Sequence, residues 1–281
     1  MLNSTILREK TILITGGGTG LGQAMGCSFL EHGAKGIVIT GRREEMLTQT
    51  LETWRRDFPQ AKLDFVVCDI RDPSSVERMI SKSIAEGKCN VVVNNAAGNF
   101  LAQTKDISHR ALDAVLGTVL HGTAYVTLAA GKQWIQQNTP GVFLNIVTTY
   151  AQSGSAFVLP SAMGKAGVLA MTRSLAVEWA PYGIRSVAVA PGPIPTQGAW
   201  SRLLPVANLE QKMKDKNPLK RFGKPEELGH LATFLISDLA AYINGDCITI
   251  DGGEWLQGAG QFTFAQSLSQ NEWDEFRQKK N

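Results

Sequence analysis

The sequence lacks any cysteine pair that would read as a ligand or redox motif. Cys27, Cys68, Cys89 and Cys247 are scattered, with no C-x-x-C and no histidine completing a zinc-ligand pattern. A disulfide framework and a metal site are therefore not expected, and core thiols in a reducing compartment are. Charge of one sign is missing too: 28 Lys+Arg against 25 Asp+Glu leave +3. That is too little for a nucleic-acid footprint or a polybasic membrane surface. No apolar run approaches the roughly 20 residues of a membrane span. Glycine, at 28 residues, shows no strict period, which excludes a collagen-like chain. The first apolar run begins near residue 11, so no signal or transit peptide is expected, and the ending R-Q-K-K-N is not a peroxisomal S-K-L address. The expected location is the cytoplasm.

What is present is a rhythm. Short runs rich in Val and Ile stand at 11–14, 36–40, 63–68, 90–94, 142–148, 185–190 and 247–251, and helical patterns lie between them, for example at 22–32, 73–87, 107–137 and 165–182. Continuous apolar runs of this length suit strands buried on both faces. Their alternation with helices predicts a single α/β domain whose parallel sheet carries helices on both faces. Two segments break the rhythm. One, about 195–224, is rich in Pro and Lys and is expected to form a lid; the other is a C-terminal extension, about 254–281.

The first run leads directly into T-G-G-G-T-G-L-G, made of Thr15, Gly16, Gly17, Gly18, Thr19, Gly20, Leu21 and Gly22. Glycines at 16, 20 and 22 permit a tight turn and close backbone approach to a pyrophosphate lying on a helix N-terminus. A plain glycine-rich turn is the competing explanation, and the strand–turn–helix setting favours dinucleotide binding. The second run ends in T-G-R-R, placing Arg42 and Arg43 where a carboxylate would otherwise accept a ribose 2′-OH. Two guanidinium groups suit a 2′-phosphate, so NADPH is expected over NADH; the alternative is a solvated helix start.

Three further strings carry a family likeness: N-N-A-A-G at 94–98, P-G-P-I-P-T at 191–196 and I-D-G-G at 250–253. They resemble the motifs of short-chain dehydrogenases/reductases. The resemblance implies a Rossmann-like, doubly wound sheet of about seven parallel strands and a homotetramer. It also implies that Asp69 lies beside the adenine, that Asn95 serves the cofactor site, and that Pro191, Gly192, Pro193 and Ile194 hold the nicotinamide amide. One departure stands out. The family's Y-x-x-x-K reads Ser161-Ala-Met-Gly-Lys165, and its usual upstream serine is Thr148. Ser161 and Lys165 share a helix face, but a serine hydroxyl is far too weak an acid to replace a tuned phenol. Carbonyl reduction is therefore expected to be poor.

Within the family the chain is similar to the NADPH-dependent 2,4-dienoyl-CoA reductases, through N-N-A-A-G-N-F, T-T-Y-A, P-S-A-M-G-K-A-G, G-A-W-S-R-L and N-E-W-D. That likeness implies Tyr150 as the working tyrosine, Asn99 beside it at the thioester, Lys165 on the nicotinamide ribose and Ser161 in support. It further implies substrate contacts from Phe100, Arg71 and Arg202. In this chemistry, hydride delivered to the far end of a conjugated dienoyl thioester pushes charge onto the thioester oxygen, so donors near that oxygen replace the usual acid. Packing at a strand end competes for Tyr150, a turn role for Asn99, and surface exposure for each arginine. The lysines at 212, 214, 216 and 220 read as a solvated face, and His121 as a satisfied core histidine. The expected function is 2,4-dienoyl-CoA reduction in unsaturated fatty acid β-oxidation. A trans-2-enoyl-CoA reductase or another short-chain oxidoreductase, and a catalytically silent NADP(H)-binding regulator, remain the alternatives.

Overall fold

Seven of the apolar runs are strands in the computed structural model, which describes residues 4–84, 89–196 and 208–278. They are β1 (Thr11–Thr15), β2 (Gly36–Gly41), β3 (Lys62–Val67), β4 (Val91–Asn94), β5 (Gly141–Ile146), β6 (Ile184–Pro191) and β7 (Cys247–Ile250). All pair in parallel, in the order β3-β2-β1-β4-β5-β6-β7. The order reverses between β1 and β4, and the crevice outside the carboxyl ends of the strands at such a switch is where open α/β sheets bind ligands.

Side chains alternate across each strand, and this divides the core into two layers. Ile12 and Ile14 of β1 join Met25, Phe29, Ile37, Ile39 and Leu228 on one side. Leu13 joins Val92, Trp134, Phe143 and Trp179 on the other. The first layer is covered by α1 (Gly20–Glu31), α2 (Glu44–Asp57) and a later helix, Pro225–Ile236. The second is covered by α3 (Pro73–Ile84), α5 (Thr123–Gln136) and α7 (Leu159–Glu178). Helices approach closely where a side chain is missing. A methyl added at Gly26 would lie 2.2 Å from the Trp54 indole, and one at Gly131 would lie 2.3 Å from that of Trp179.

The long helical pattern at 107–137 has an interruption the sequence does not announce. Between α4 (His109–Leu116) and α5 the chain makes a π-helical step, Gly117–Gly122. Gly122 sits at the contact, where an added methyl would stand 2.7 Å from the Ile70 side chain. The stretch His109–Gln136 is long and apolar enough to cross a membrane. Val126, Ala130 and Trp134 are nevertheless fully buried against the sheet, the pattern of a core helix. His121 lies on the step and is exposed, which corrects its reading as a core histidine: widening the turn rotates it to the surface beside Tyr125. The four cysteines are free thiols, Cys68 and Cys89 buried, and burial pushes the Cys89 thiol up to about 12.

A buried amide ladder ties the strands together just below their carboxyl ends. Asn94 Nδ2 donates to Asn145 Oδ1 at 2.8 Å and to Thr127 Oγ1 at 2.9 Å. Asn145 Nδ2 in turn donates to Thr172 Oγ1 at 2.9 Å and Ser186 Oγ at 3.3 Å. These donated bonds link β4, β5, β6 and α7, while Asn94 Oδ1 has no partner among the described residues.

Candidate active site

The loop after β1 is shaped by bare backbone. Gly16 and Gly20 take φ values of +67° and +60°, the left-handed region that residues with a Cβ avoid. A methyl at Gly22 would meet the Gly16 carbonyl oxygen at 2.4 Å. The turn is buttressed from β4: Asn95 Nδ2 donates to the carbonyls of Thr15 (3.0 Å) and Gly16 (3.2 Å). Thr15 Oγ1 accepts from the amides of Asn95 and Ala96, each at 3.0 Å. Asn95 thus holds the glycine turn through its side chain. Thr15 opens the motif, but its part in holding the turn through these two amides is not readable from the motif alone.

α1 opens at this turn with no acidic residue in its first turn, leaving its positive end uncompensated and fit for an anion. From the other side, Thr196 of the segment after β6 comes within 3.6 Å of the position a Gly20 Cβ would take. Pro191 and Ile194 are buried while Gly192 packs on Asp251, where a methyl would lie 2.6 Å from its Cβ. After β2, the Arg42 and Arg43 side chains lie exposed. After β3, Asp69 is gripped by Arg71, whose Nε and Nη2 reach both carboxylate oxygens at 2.5–3.0 Å. Those hydrogen bonds hold the Asp69 carboxyl below the usual carboxylate range. Cradle, helix end and arginines fit a phosphorylated dinucleotide. Arg71 is committed to Asp69 on this side of the crevice, and Arg202 lies outside the described residues, as does much of the expected lid.

Beyond β4 and β5 the catalytic candidates converge. Tyr150 begins α6 (Tyr150–Ser153), a single turn closed by Gly154 at φ +72°. Its hydroxyl lies 3.1 Å from Ser161 Oγ, and Asn99 Nδ2 donates to it at 3.3 Å. The Asn99 amide is oriented by its own loop, because its Oδ1 accepts from the Phe100 amide at 2.9 Å and turns the NH₂ group toward Tyr150. Pro160 occupies the first turn of α7, where its missing N–H costs nothing. Ser161, the next residue, and Lys165, one turn further, project from one face, and both are buried. Lys165 Nζ donates to the Ile146 carbonyl at the end of β5, and burial pulls its ammonium down to about 8. Thr148 Oγ1 is buried nearby in sequence and has no hydrogen-bond partner among the described residues.

The chain as a whole is similar to known proteins. A family model described as enoyl-(acyl carrier protein) reductase matches residues 16–254. A Bacillus subtilis protein named as a probable 2,4-dienoyl-CoA reductase, (2E)-enoyl-CoA-producing, is 41% identical over 255 residues, 89% of this chain and 98% of its own. A Caenorhabditis elegans protein named as probable 2,4-dienoyl-CoA reductase 3, (3E)-enoyl-CoA-producing, is 42% identical over 282 residues, 96% of this chain and 91% of its own. A solved short-chain dehydrogenase from Bacillus anthracis superposes with a TM-score of 0.78 at 40% identity, covering 88% of this chain and 97% of that one.

The chain belongs to the short-chain dehydrogenase/reductase family. Within this short-chain dehydrogenase/reductase fold, the hydroxyl facing Lys165's helix comes from Tyr150 at the end of β5, and α7 itself contributes Ser161. Two hydrogen-bond donors, Tyr150 Oη and Asn99 Nδ2, share one point of the crevice, with a buried amine one helical turn from Ser161. Such a pair can hold an oxygen that gains negative charge.

Proposed function

We propose that the protein is an NADPH-dependent 2,4-dienoyl-CoA reductase. One observation carries this reading: a tyrosine hydroxyl, delivered from outside the Y-x-x-x-K position, stands between Ser161 at 3.1 Å and the Asn99 amide at 3.3 Å. The names of the relatives support the substrate class, and exposed Arg42 and Arg43 support the choice of NADPH over NADH. When bound, the nicotinamide supplies the hydride. Tyr150 and Asn99 donate to the thioester oxygen as charge arrives there from the conjugated chain, and Lys165 adds a positive field and a ribose contact. Ser161 keeps the phenol in place. Phe100, Arg71 and Arg202 are assigned to the substrate on family likeness, with Arg71 required to share itself between Asp69 and a CoA phosphate. The two relatives are named for products with different double-bond positions, so this reading stops at the dienoyl substrate. It extends to a homotetramer acting in unsaturated fatty acid β-oxidation, with family likeness as its support, and keeps the cytoplasm as the expected location.

The test is NADPH oxidation with a 2,4-dienoyl-CoA, beside a trans-2-enoyl-CoA, a 3-ketoacyl-CoA and each substrate with NADH. The expected result is turnover of the dienoyl thioester with NADPH preferred, and a fall of roughly a hundredfold or more in Tyr150→Phe, the size of a lost oxyanion donor. Reduction of the 3-ketoacyl substrate would overturn the reading, because it requires an acid that Ser161 does not supply. NADPH binding without turnover of any substrate would favour a silent regulator.

A further inference from the structure

Phe157 occupies a position that neither its burial nor its backbone explains. Its side chain is 53% exposed, and its φ is +67°, a left-handed conformation disfavoured for any bulky residue. Glycine would suit the backbone and a polar residue would suit the exposure. The conformation is held by the loop after the neighbouring strand β4: the Ala102 amide donates to the Phe157 carbonyl at 3.0 Å. That same loop begins at Asn99, whose amide meets the Tyr150 hydroxyl at 3.3 Å. The chain from Asn99 to Ala102 spans at most about 11 Å and the Ala102–Phe157 hydrogen bond adds 3.0 Å, so the Phe157 backbone is tied to within roughly 14 Å of Asn99. Between the two anchors stand Phe100, half-buried, and Leu101, 45% exposed. Leu159 and Met163 are exposed as well, but each lies two residues from Ser161 on α7, about 200° around the helix, and faces away.

Two loop segments joined by that hydrogen bond therefore carry Phe100, Leu101 and Phe157 near the two donors, and we read these three side chains as one apolar strip. We propose that this strip receives the distal methylenes of the acyl chain, and that Phe157 with Leu101 sets chain-length preference. The inference rests on the acyl-thioester reading of the site. The ring is kept in a strained conformation because ligand contact, which glycine cannot provide, depends on it.

The experiment measures calorimetric Kd values of hexanoyl-CoA and decanoyl-CoA, with NADP⁺ present, for the wild type, Phe157→Ala and Phe157→Gly. Each fully buried methylene contributes about fourfold, so partial burial of four more gives a decanoyl preference of about tenfold or greater in the wild type. Both variants should lose most of that preference with hexanoyl-CoA affinity within about twofold of wild type. Phe157→Gly relieves the backbone, so it stays interpretable even if Phe157→Ala melts early. Absence of a wild-type preference, an unchanged preference in both variants, or equal losses for both ligands would overturn the inference. Dienoyl-CoA turnover is recorded on the same preparations. An intact binding preference without turnover would sink the reductase reading while leaving the strip standing.

Discussion

At the scale of single residues, Tyr150 brings a hydroxyl to the helix of Ser161 and Lys165 from outside that helix. It comes from the strand end eleven residues ahead of Ser161 and closes to 3.1 Å of the serine oxygen. The spacing of Ser161 and Lys165 is readable from sequence, since residues four apart share a helix face. The direction of the Asn99 amide is not readable, because it depends on the Phe100 N–H that its Oδ1 accepts from. Nor is the Asp69–Arg71 fork, which needs the loop's own curvature. Lys165 carries a prediction about pH. Burial lowers its ammonium to about 8, so the charge that serves the site is complete below that value and is lost as pH rises through it. In the wild type kcat/KM should fall above about pH 8, and Lys165→Met should be slow throughout and show no such limb. Stability moves the other way. The unfolded amine titrates near 10.4, so between about 8 and 10.4 the unfolded chain binds a proton the native chain lacks, and this group's contribution to stability rises with pH. A kcat/KM profile flat to pH 10 would remove Lys165's charge from the reaction.

At the scale of elements, the sheet was legible because strands buried on both faces read as unbroken apolar runs. β4 and β5 are buried at every position. The π-helical step Gly117–Gly122 was not legible, since no glycine, proline or polar break in the apolar pattern is specific to it; Gly122, at its end, packs so close to Ile70 that a methyl would lie 2.7 Å from that side chain. Bare glycines serve two different purposes in the helices, and mutation separates them. Gly131→Ala forces a methyl against the Trp179 indole at 2.3 Å. Overpacking of this kind costs about 1–3 kcal/mol, so the melting temperature should drop several degrees while NADPH still binds. Gly22→Ala instead drives a methyl onto the Gly16 carbonyl at 2.4 Å, and the obstacle is backbone of the turn itself. NADPH affinity, read by fluorescence titration, should fall about tenfold or more, out of proportion to any loss of stability. Equal behaviour of the two variants would show that the glycine turn matters only for folding.

At the scale of the whole molecule, the parallel sheet explains why so much of the candidate site could be read from the chain alone. Every strand points the same way, so the residues just after each one gather at a single edge. The glycine turn follows β1, Arg42 and Arg43 follow β2, Asp69 follows β3, Asn95 and Asn99 follow β4, Tyr150 follows β5, and Pro191 to Ile194 close β6. The charge of the chain as a whole is nearly balanced at +3, so selectivity between the two nicotinamide cofactors has to arise locally. Arg42 and Arg43 are the cations proposed for it, with Glu44 and Glu45 immediately behind them in the first turn of α2. Charge-assisted hydrogen bonds contribute about 1.5–3 kcal/mol each, and replacing both arginines by alanine should weaken NADPH binding by at least about tenfold. NADH, which has no 2′-phosphate, should bind the double variant as well as the wild type or better. Thermal melts provide the readout, because a ligand at a hundred times its Kd stabilises the fold by about 2.7 kcal/mol. The wild type should melt later with NADPH than with NADH, and the variant should show no such difference. A difference that survives the double substitution would place the phosphate on some other group.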